Sequence, residues 1–164
     1  MPARDDVIIR RVADSDGPAL GRLGAELVRL HHGWDRERFL TPGPSIEVGY
    51  GRFLAAQIAS EDNVVFVAER GGEVLGYVFA GVEPRSWMEL RDMAGFVHDV
   101  IVVEPARGQG IGARLVEAAA EWLVARGVPR VMLWTAEKNA AGQRLFERLG
   151  FRRTMVEMTR ERPR

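Results

Sequence analysis

Cysteine is absent from the 164 residues, which excludes disulfides, thiolate metal sites and a cysteine nucleophile. Histidine is scarce too: His31, His32 and His98 are too few and too scattered to frame a zinc site, so no metal is expected. No apolar run approaches the ~20 residues that a membrane-spanning helix needs, and no signal-peptide pattern opens the chain. Net charge is also missing. Lys plus Arg and Asp plus Glu stand at 23 each, so no global field favours nucleic acid or an anionic membrane as partner. What remains is an ordinary globular composition, 46% hydrophobic and 28% charged, enough for one domain over residues 1–164 with a buried core and a cytoplasmic setting.

Val7 to Val12 reads as a first strand rich in β-branched residues. Asp16 is placed to cap a helix on which Leu20, Leu23, Leu27 and Leu30 recur at helical spacing. His31 to Ser45 is aromatic, charged and broken by Pro42, Gly43 and Pro44, and reads as a loop. A second helix is predicted over Ile46 to Ser60, with Tyr50, Phe53, Leu54 and Ile58 on one face. Strands Asn63 to Arg70 and Glu73 to Val82 flank Gly71-Gly72, a two-residue hairpin signal. A loop containing Trp87 then leads to a strand over Phe96 to Val103. Gly110 to Arg126 is strongly amphipathic, with Ile111, Leu115, Ala119, Trp122 and Leu123 as its buried face. Strand Val131 to Ala136, a short helix capped by Asn139 and a last strand Phe151 to Thr159 complete the chain. The order predicts one mixed α/β sheet with helices on both faces, in which the Phe96 and Val131 strands are parallel neighbours.

The segment Arg107-Gly108-Gln109-Gly110-Ile111-Gly112-Ala113 lies between a strand and a helix. Free N–H groups and the positive dipole end at a helix N-terminus favour phosphate, and glycines let the backbone approach it. A tight turn with no ligand would use the same glycines. Gly108, Gly110 and Ala113 also satisfy G-x-G-x-x-A, the dinucleotide fingerprint, but four residues separate the first glycine from the strand, and no acidic residue ends the next strand at the required distance.

Val102-Val103-Glu104-Pro105-Ala106-Arg107-Gly108-Gln109-Gly110-Ile111-Gly112 resembles the acyl-CoA-binding signature of the GNAT superfamily, Arg/Gln-x-x-Gly-x-Gly/Ala after a strand. Downstream, Asn139 through Leu145-Phe146-Glu147-Arg148-Leu149-Gly150-Phe151 is similar to the superfamily's second motif. The resemblance implies a three-layer α/β fold with a mixed sheet of about six to seven strands, a splayed parallel pair among them, and acetyl-CoA as co-substrate. It implies that Val100, Ile101 and Val102 hydrogen-bond the pantetheine arm through their backbone. Gly108, Gln109, Gly110, Ile111, Gly112 and Ala113 would then offer N–H groups to the pyrophosphate, with Arg107 as a mobile charge at the mouth. Asn139 would reach the pantetheine arm, although a plain helix cap has the same signature. Glu104 stands where the superfamily's proline is usual, with Pro105 following.

Acyl transfer to an amine needs a base for the ammonium, donors for the thioester oxygen and an acid for the leaving thiolate. His98 is the candidate base, four residues before Val102 and so expected on the same face as Val100 and Val102. In the superfamily, polyamine-type enzymes carry a glutamate at this position and arylalkylamine-type enzymes a histidine. A half-buried strand histidine bonded to a carbonyl is the alternative. Asp99 is expected on the opposite face, in a structural hydrogen bond. The superfamily's tyrosine falls at Phe146, which has no hydroxyl. His31, His32, Trp34 and Asp35, with Trp87 facing them, are the candidate acceptor wall, since aromatic and acidic groups suit a cationic amine. The expected function is transfer of acetyl to a primary amine of a small molecule. A protein or peptide acetyltransferase and a non-catalytic acyl-CoA sensor are the alternatives. Superfamily members pair through sheet edges or C-terminal strands, which offers residues 154–159 as a route to a homodimer.

Overall fold

A computed structural model describes residues 6–163. Among them the sheet has five strands in the order of the chain: β1 Ile8–Arg11, β2 Asn63–Arg70, β3 Glu73–Glu83, β4 Ala94–Val102 and β5 Val131–Leu133. The first four run antiparallel, and β5 joins β4 in parallel, as a strand–helix–strand crossover requires. An antiparallel majority rules out the doubly wound dinucleotide fold that the glycine fingerprint had left open.

Helix α3, Ile111–Ala125, covers one face. Its Ile111, Leu115, Ala119 and Leu123 pack with Val64, Val78, Ala80, Val97 and Val102 of the sheet. Trp122, expected in this core, is only partly buried and lies under the Arg126 guanidinium, 4.6 Å from its carbon. Helices α1, Gly17–Trp34, and α2, Ile46–Ile58, cover the other face, where Leu20, Leu23 and Leu54 meet Val65, Val67, Tyr77, Phe79 and Ile101. The two helices cross closely because α1 offers glycine at the contact. A Cβ on Gly24 would sit 2.0 Å from the Tyr50 ring, so no other residue admits the ring there.

Several expectations are corrected. Helix α1 runs on through Trp34, so His31 and His32 lie in its last turn and not in a loop. The Asp16 carboxylate does not cap α1. It accepts from the Ala13 N–H at 2.7 Å and pairs with Arg10 at 2.7 Å, clipping β1 to the helix entry. The last strand is absent among the described residues, which leaves five strands and not six or seven. Residues 151–163 form no ladder, and Met155, Val156 and Met158 are all exposed. Beyond Phe151 every described residue is exposed, so the segment has no face to bury, and burial is what fixes a strand's register. Instead Glu157 ties it to the turn after α1 through a two-bond pair with Arg38. Helix α4, Ala140–Arg148, closes the chain's regular structure.

Candidate active site

The site forms where β4 and β5 part. They pair at only three positions, the last being Val97 with Leu133. Immediately beyond, β4 carries an extra residue: Phe79 of β3 faces Asp99 and Ala80 faces Val97, so His98 is bulged out of the ladder. A bulge bends its strand and re-aims the side chains beside it. From here Val100, Ile101 and Val102 continue with no strand on the β5 side, while Trp134 and Thr135 peel away from it. A pocket of about 220 Å³ opens between, lined by Val97, His98, Asp99 and Val100 on one wall and Leu133, Trp134 and Thr135 on the other. Asn139 and Phe146 contribute from the α4 side, and Leu27, Val28, His31, Phe39, Leu40 and Tyr50 from α1, the following turn and α2.

The bulge overturns the expected strand phase. His98 does not share a face with Val100 and Val102, which pack toward α3. Its ring lies between Phe79 and Phe96, at centroid distances of 4.8 and 5.8 Å, on the α1/α2 side. The same extra residue leaves Asp99 on that side too. His98 Nε2 meets Glu83 Oε1 at 3.1 Å, and its side chain is 30% exposed. Glu83 was not singled out in the sequence, because only the antiparallel register brings the end of β3 beside the middle of β4.

Asp99 proves to be more than a strand polar residue. Its Oδ2 accepts from the Tyr50 hydroxyl at 2.6 Å and from the Tyr77 hydroxyl at 3.0 Å. Burial pushes the Asp99 carboxyl above the ordinary carboxylate range, opposed by the two hydroxyl donors and by the nearby His98 and His31. Burial, and then the Asp99 charge, hold both tyrosine hydroxyls well above their usual range, so each stays protonated and donating. His31 donates from Nδ1 to the Leu27 carbonyl at 2.8 Å, since a carbonyl only accepts, and this leaves Nε2 as its accepting nitrogen when neutral. Its ring is held edge-on by Trp34 and Phe39, at 4.8 and 4.9 Å.

The other candidate wall residues do not line the pocket. Asp35 spends its carboxylate on the Glu37 and Arg38 N–H groups. Trp34 accepts through its carbonyl from Lys138 at 2.9 Å, joining α1 to the β5–α4 connection. His32 Nδ1 is buried without a partner. Trp87 is 77% exposed beneath Arg85 and is not among the residues lining the pocket. Trp134, 73% exposed and edge-on to Phe96, supplies the aromatic wall instead, just past the end of β5.

At the mouth of the splay, Gly108 and Gly110 adopt φ of 76° and 77°, the left-handed region that favours glycine. Nothing stands within 4 Å of a Cβ built on either, so space lies open beside the turn. The first N–H groups of α3 have no carbonyl partner within the helix, and they begin here. Gly112 is a packing glycine against Leu145 at 3.3 Å. Gln109 accepts from Arg70 at 2.8 Å. Arg107 is anchored, not loose: Nε donates to the Val102 carbonyl at 2.8 Å and a terminal nitrogen meets Glu26 at 3.0 Å. Asn139 caps α4, accepting from the Gly142 N–H at 3.0 Å, yet it also lines the pocket. Phe146 is 7% exposed, packs edge-on against Phe151 and presents its ring to the same cavity. The turn is tied to the end of β4 through Arg107 on the Val102 carbonyl, and β4 leads from there to Val100 in the pocket wall, an arrangement suited to a phosphorylated ligand with a long arm.

Comparison with known proteins agrees with this geometry. The family model described as "Acetyltransferase (GNAT) family" matches residues 27–151. Mycothiol acetyltransferase of Thermomonospora curvata is 36% identical over 99 residues, which span 60% of this chain and 31% of that protein. Among solved structures, one titled a transcriptional regulator from Bacillus halodurans is 28% identical with a TM-score of 0.74, covering 95% of this chain and 99% of that one. The structure of AAC(6')-Iy in complex with the bisubstrate analogue CoA-S-monomethyl-acetylneamine shares the fold at a TM-score of 0.74 and 17% identity, covering 97% of this chain and 100% of that one.

Proposed function

The chain belongs to the GNAT acetyltransferase family, and from that premise we propose that it transfers the acetyl group of acetyl-CoA to a primary amine of a small molecule. The observation that carries this reading is that β4, once β5 has parted from it, runs from a pocket holding an oriented histidine to a glycine turn with free N–H groups. The turn's backbone N–H groups, from Gly108 to Ala113, would hold the pyrophosphate, and Arg107 lies beside them. The β4 edge at Val100 to Val102, which has no strand beside it and carries Arg107 on the Val102 carbonyl, would hold the pantetheine arm as an added strand does. Acetyl-CoA supplies the activated acetyl group.

His98 takes the proton from the acceptor's ammonium. Glu83 fixes its ring and balances the charge it gains, the arrangement that orients a base in hydrolytic triads. Phe146 donates nothing, so the thiolate leaves without a tyrosine proton from α4. A thiol with an ordinary pKa of about 8.5 departs tolerably near neutral pH. The pocket of about 220 Å³ falls below the ~300–1,000 Å³ usual for drug-sized ligands, which supports a small acceptor over a peptide chain.

The binding half of this reading is tested with Gly110→Asn. Asparagine tolerates the left-handed conformation that position 110 requires, so the fold survives, while its side chain enters the space beside the turn. Calorimetry is expected to show acetyl-CoA affinity reduced by about tenfold or more, the scale of one lost charge-assisted hydrogen bond. Undiminished affinity would remove the pyrophosphate from this turn, and preferential binding of NADH would refute the ligand class.

A further inference from the structure

We infer that Asp99 is the anchor for a second ammonium on the acceptor, so that the site selects short diamines over monoamines. This rests on the acetyltransferase reading above for the reaction, and on the pocket's own charges for the selectivity. Asp99 is the one carboxylate among the residues lining the pocket, and neither lysine nor arginine lines it. Both tyrosine hydroxyls fall on Oδ2, and no bond among the described residues falls on Oδ1. The carboxylate therefore retains an accepting oxygen toward a cavity walled by His31, Phe39 and Trp134, a setting that holds alkylammonium ions by charge and by ring faces.

The arrangement distinguishes an anchor from a base. Two hydroxyl donors on one carboxylate oxygen favour its charged, accepting form and oppose the burial that raises it. A helix contact built around glycine positions one of those donors: Gly24 admits the Tyr50 ring, and Tyr50 reaches Asp99. The charge balance then specifies the ligand. The nitrogen that receives the acetyl group gives up two protons, one to His98 before attack and one taken by the departing thiolate as the intermediate collapses. It becomes a neutral amide, so it forms no ion pair with Asp99 in the product. A second ammonium on the same molecule does so throughout the reaction. The cavity of about 220 Å³ limits the separation to a short alkyl chain.

Three probes test this: 1,4-diaminobutane, 4-amino-1-butanol and n-butylamine, each with acetyl-CoA. Wild type is expected to show kcat/KM at least about tenfold higher for the diamine than for the other two, the scale of one charged hydrogen bond. In Asp99→Asn the amide oxygen still accepts from Tyr50 and Tyr77, and that advantage should fall by about tenfold or more, with the loss in KM and not in kcat. Equal kcat/KM for the three probes in wild type would overturn the inference. So would an Asp99→Asn loss confined to kcat and common to all three, which would make Asp99 part of the proton transfer. If no probe is acetylated, the reaction assigned above fails, while the anchor is still decided by calorimetry. Binding of 1,4-diaminobutane to wild type loaded with CoA, weakened about tenfold in Asp99→Asn, upholds it, and equal affinity in the two proteins refutes it.

Discussion

His98 Nε2 lies 3.1 Å from Glu83 Oε1, across a ladder in which His98 itself has no partner residue. The bulge that ejects His98 from β4 is what lets its ring turn to the end of β3, between Phe79 and Phe96. If His98 relays the proton and Glu83 orients it, His98→Ala should lower the rate by about 10²–10⁴, the span of general-base contributions. The deficit should shrink as pH rises and more amine enters as free base. Glu83→Gln should lower kcat by a smaller factor while leaving acetyl-CoA affinity alone, and Glu83→Asp should recover part of the loss. Turnover of His98→Ala equal to wild type between pH 6 and 9, measured by thiol release, would remove both residues from the mechanism.

Asp99 supplies a stability test with a definite sign. Burial raises its carboxyl above the ordinary range, so between the unfolded and folded values the native state binds more protons than the unfolded chain. Stability contributed by this group is present below the unfolded value and declines as pH rises through the folded one. Asp99→Asn, neutral at every pH, should therefore gain thermal stability relative to wild type as pH is raised from 4 to 7. A Tm difference that is flat across that window would show that Asp99 is not destabilised by its burial.

How much of this could be read in the sequence follows from which contacts are local. The β2–β3 hairpin, the crossover through α3 and the glycine turn are set by residues close in the chain, and their periodicity and turn chemistry are plain. The end of α1 is not legible in the sequence, because His31-His32-Gly33-Trp34 is a weak helix former held in place by tertiary contacts, including Lys138 on the Trp34 carbonyl. The phase of His98 is hidden for another reason. One inserted residue shifts every side chain before it relative to those after, and no signal within β4 marks where the extra residue sits. Glu83, Tyr50 and Trp134 reach the site only through strand register and helix crossing, which single-residue patterns do not carry. The expected last strand does not form, because residues 152–163 present no buried face and pair with no edge among the described residues.

Phe146 separates packing from chemistry. Its ring is buried against Phe151, so Phe146→Ala should destabilise by roughly 3–5 kcal/mol. Tyr50 does not substitute as an acid, because its proton is given to Asp99 and is held well above the usual tyrosine range. Wild type should accordingly turn over with no descending limb near pH 10 in its rate profile. Phe146→Tyr should fold and place a hydroxyl in the pocket. Activity confined to the tyrosine variant, with wild type binding acetyl-CoA yet transferring nothing, would show the natural chain to be a sensor.

The measurement that bears most directly on the central claim is thiol release from acetyl-CoA with a panel of small primary amines, peptide N-termini and no acceptor, read beside mass spectrometry of the products. The account predicts CoA formed in equal amount to an N-acetylated small amine, with His98→Ala slower by about two orders of magnitude or more. Acetylation of peptides alone, or no transfer to any acceptor by a chain that binds acetyl-CoA, would contradict it.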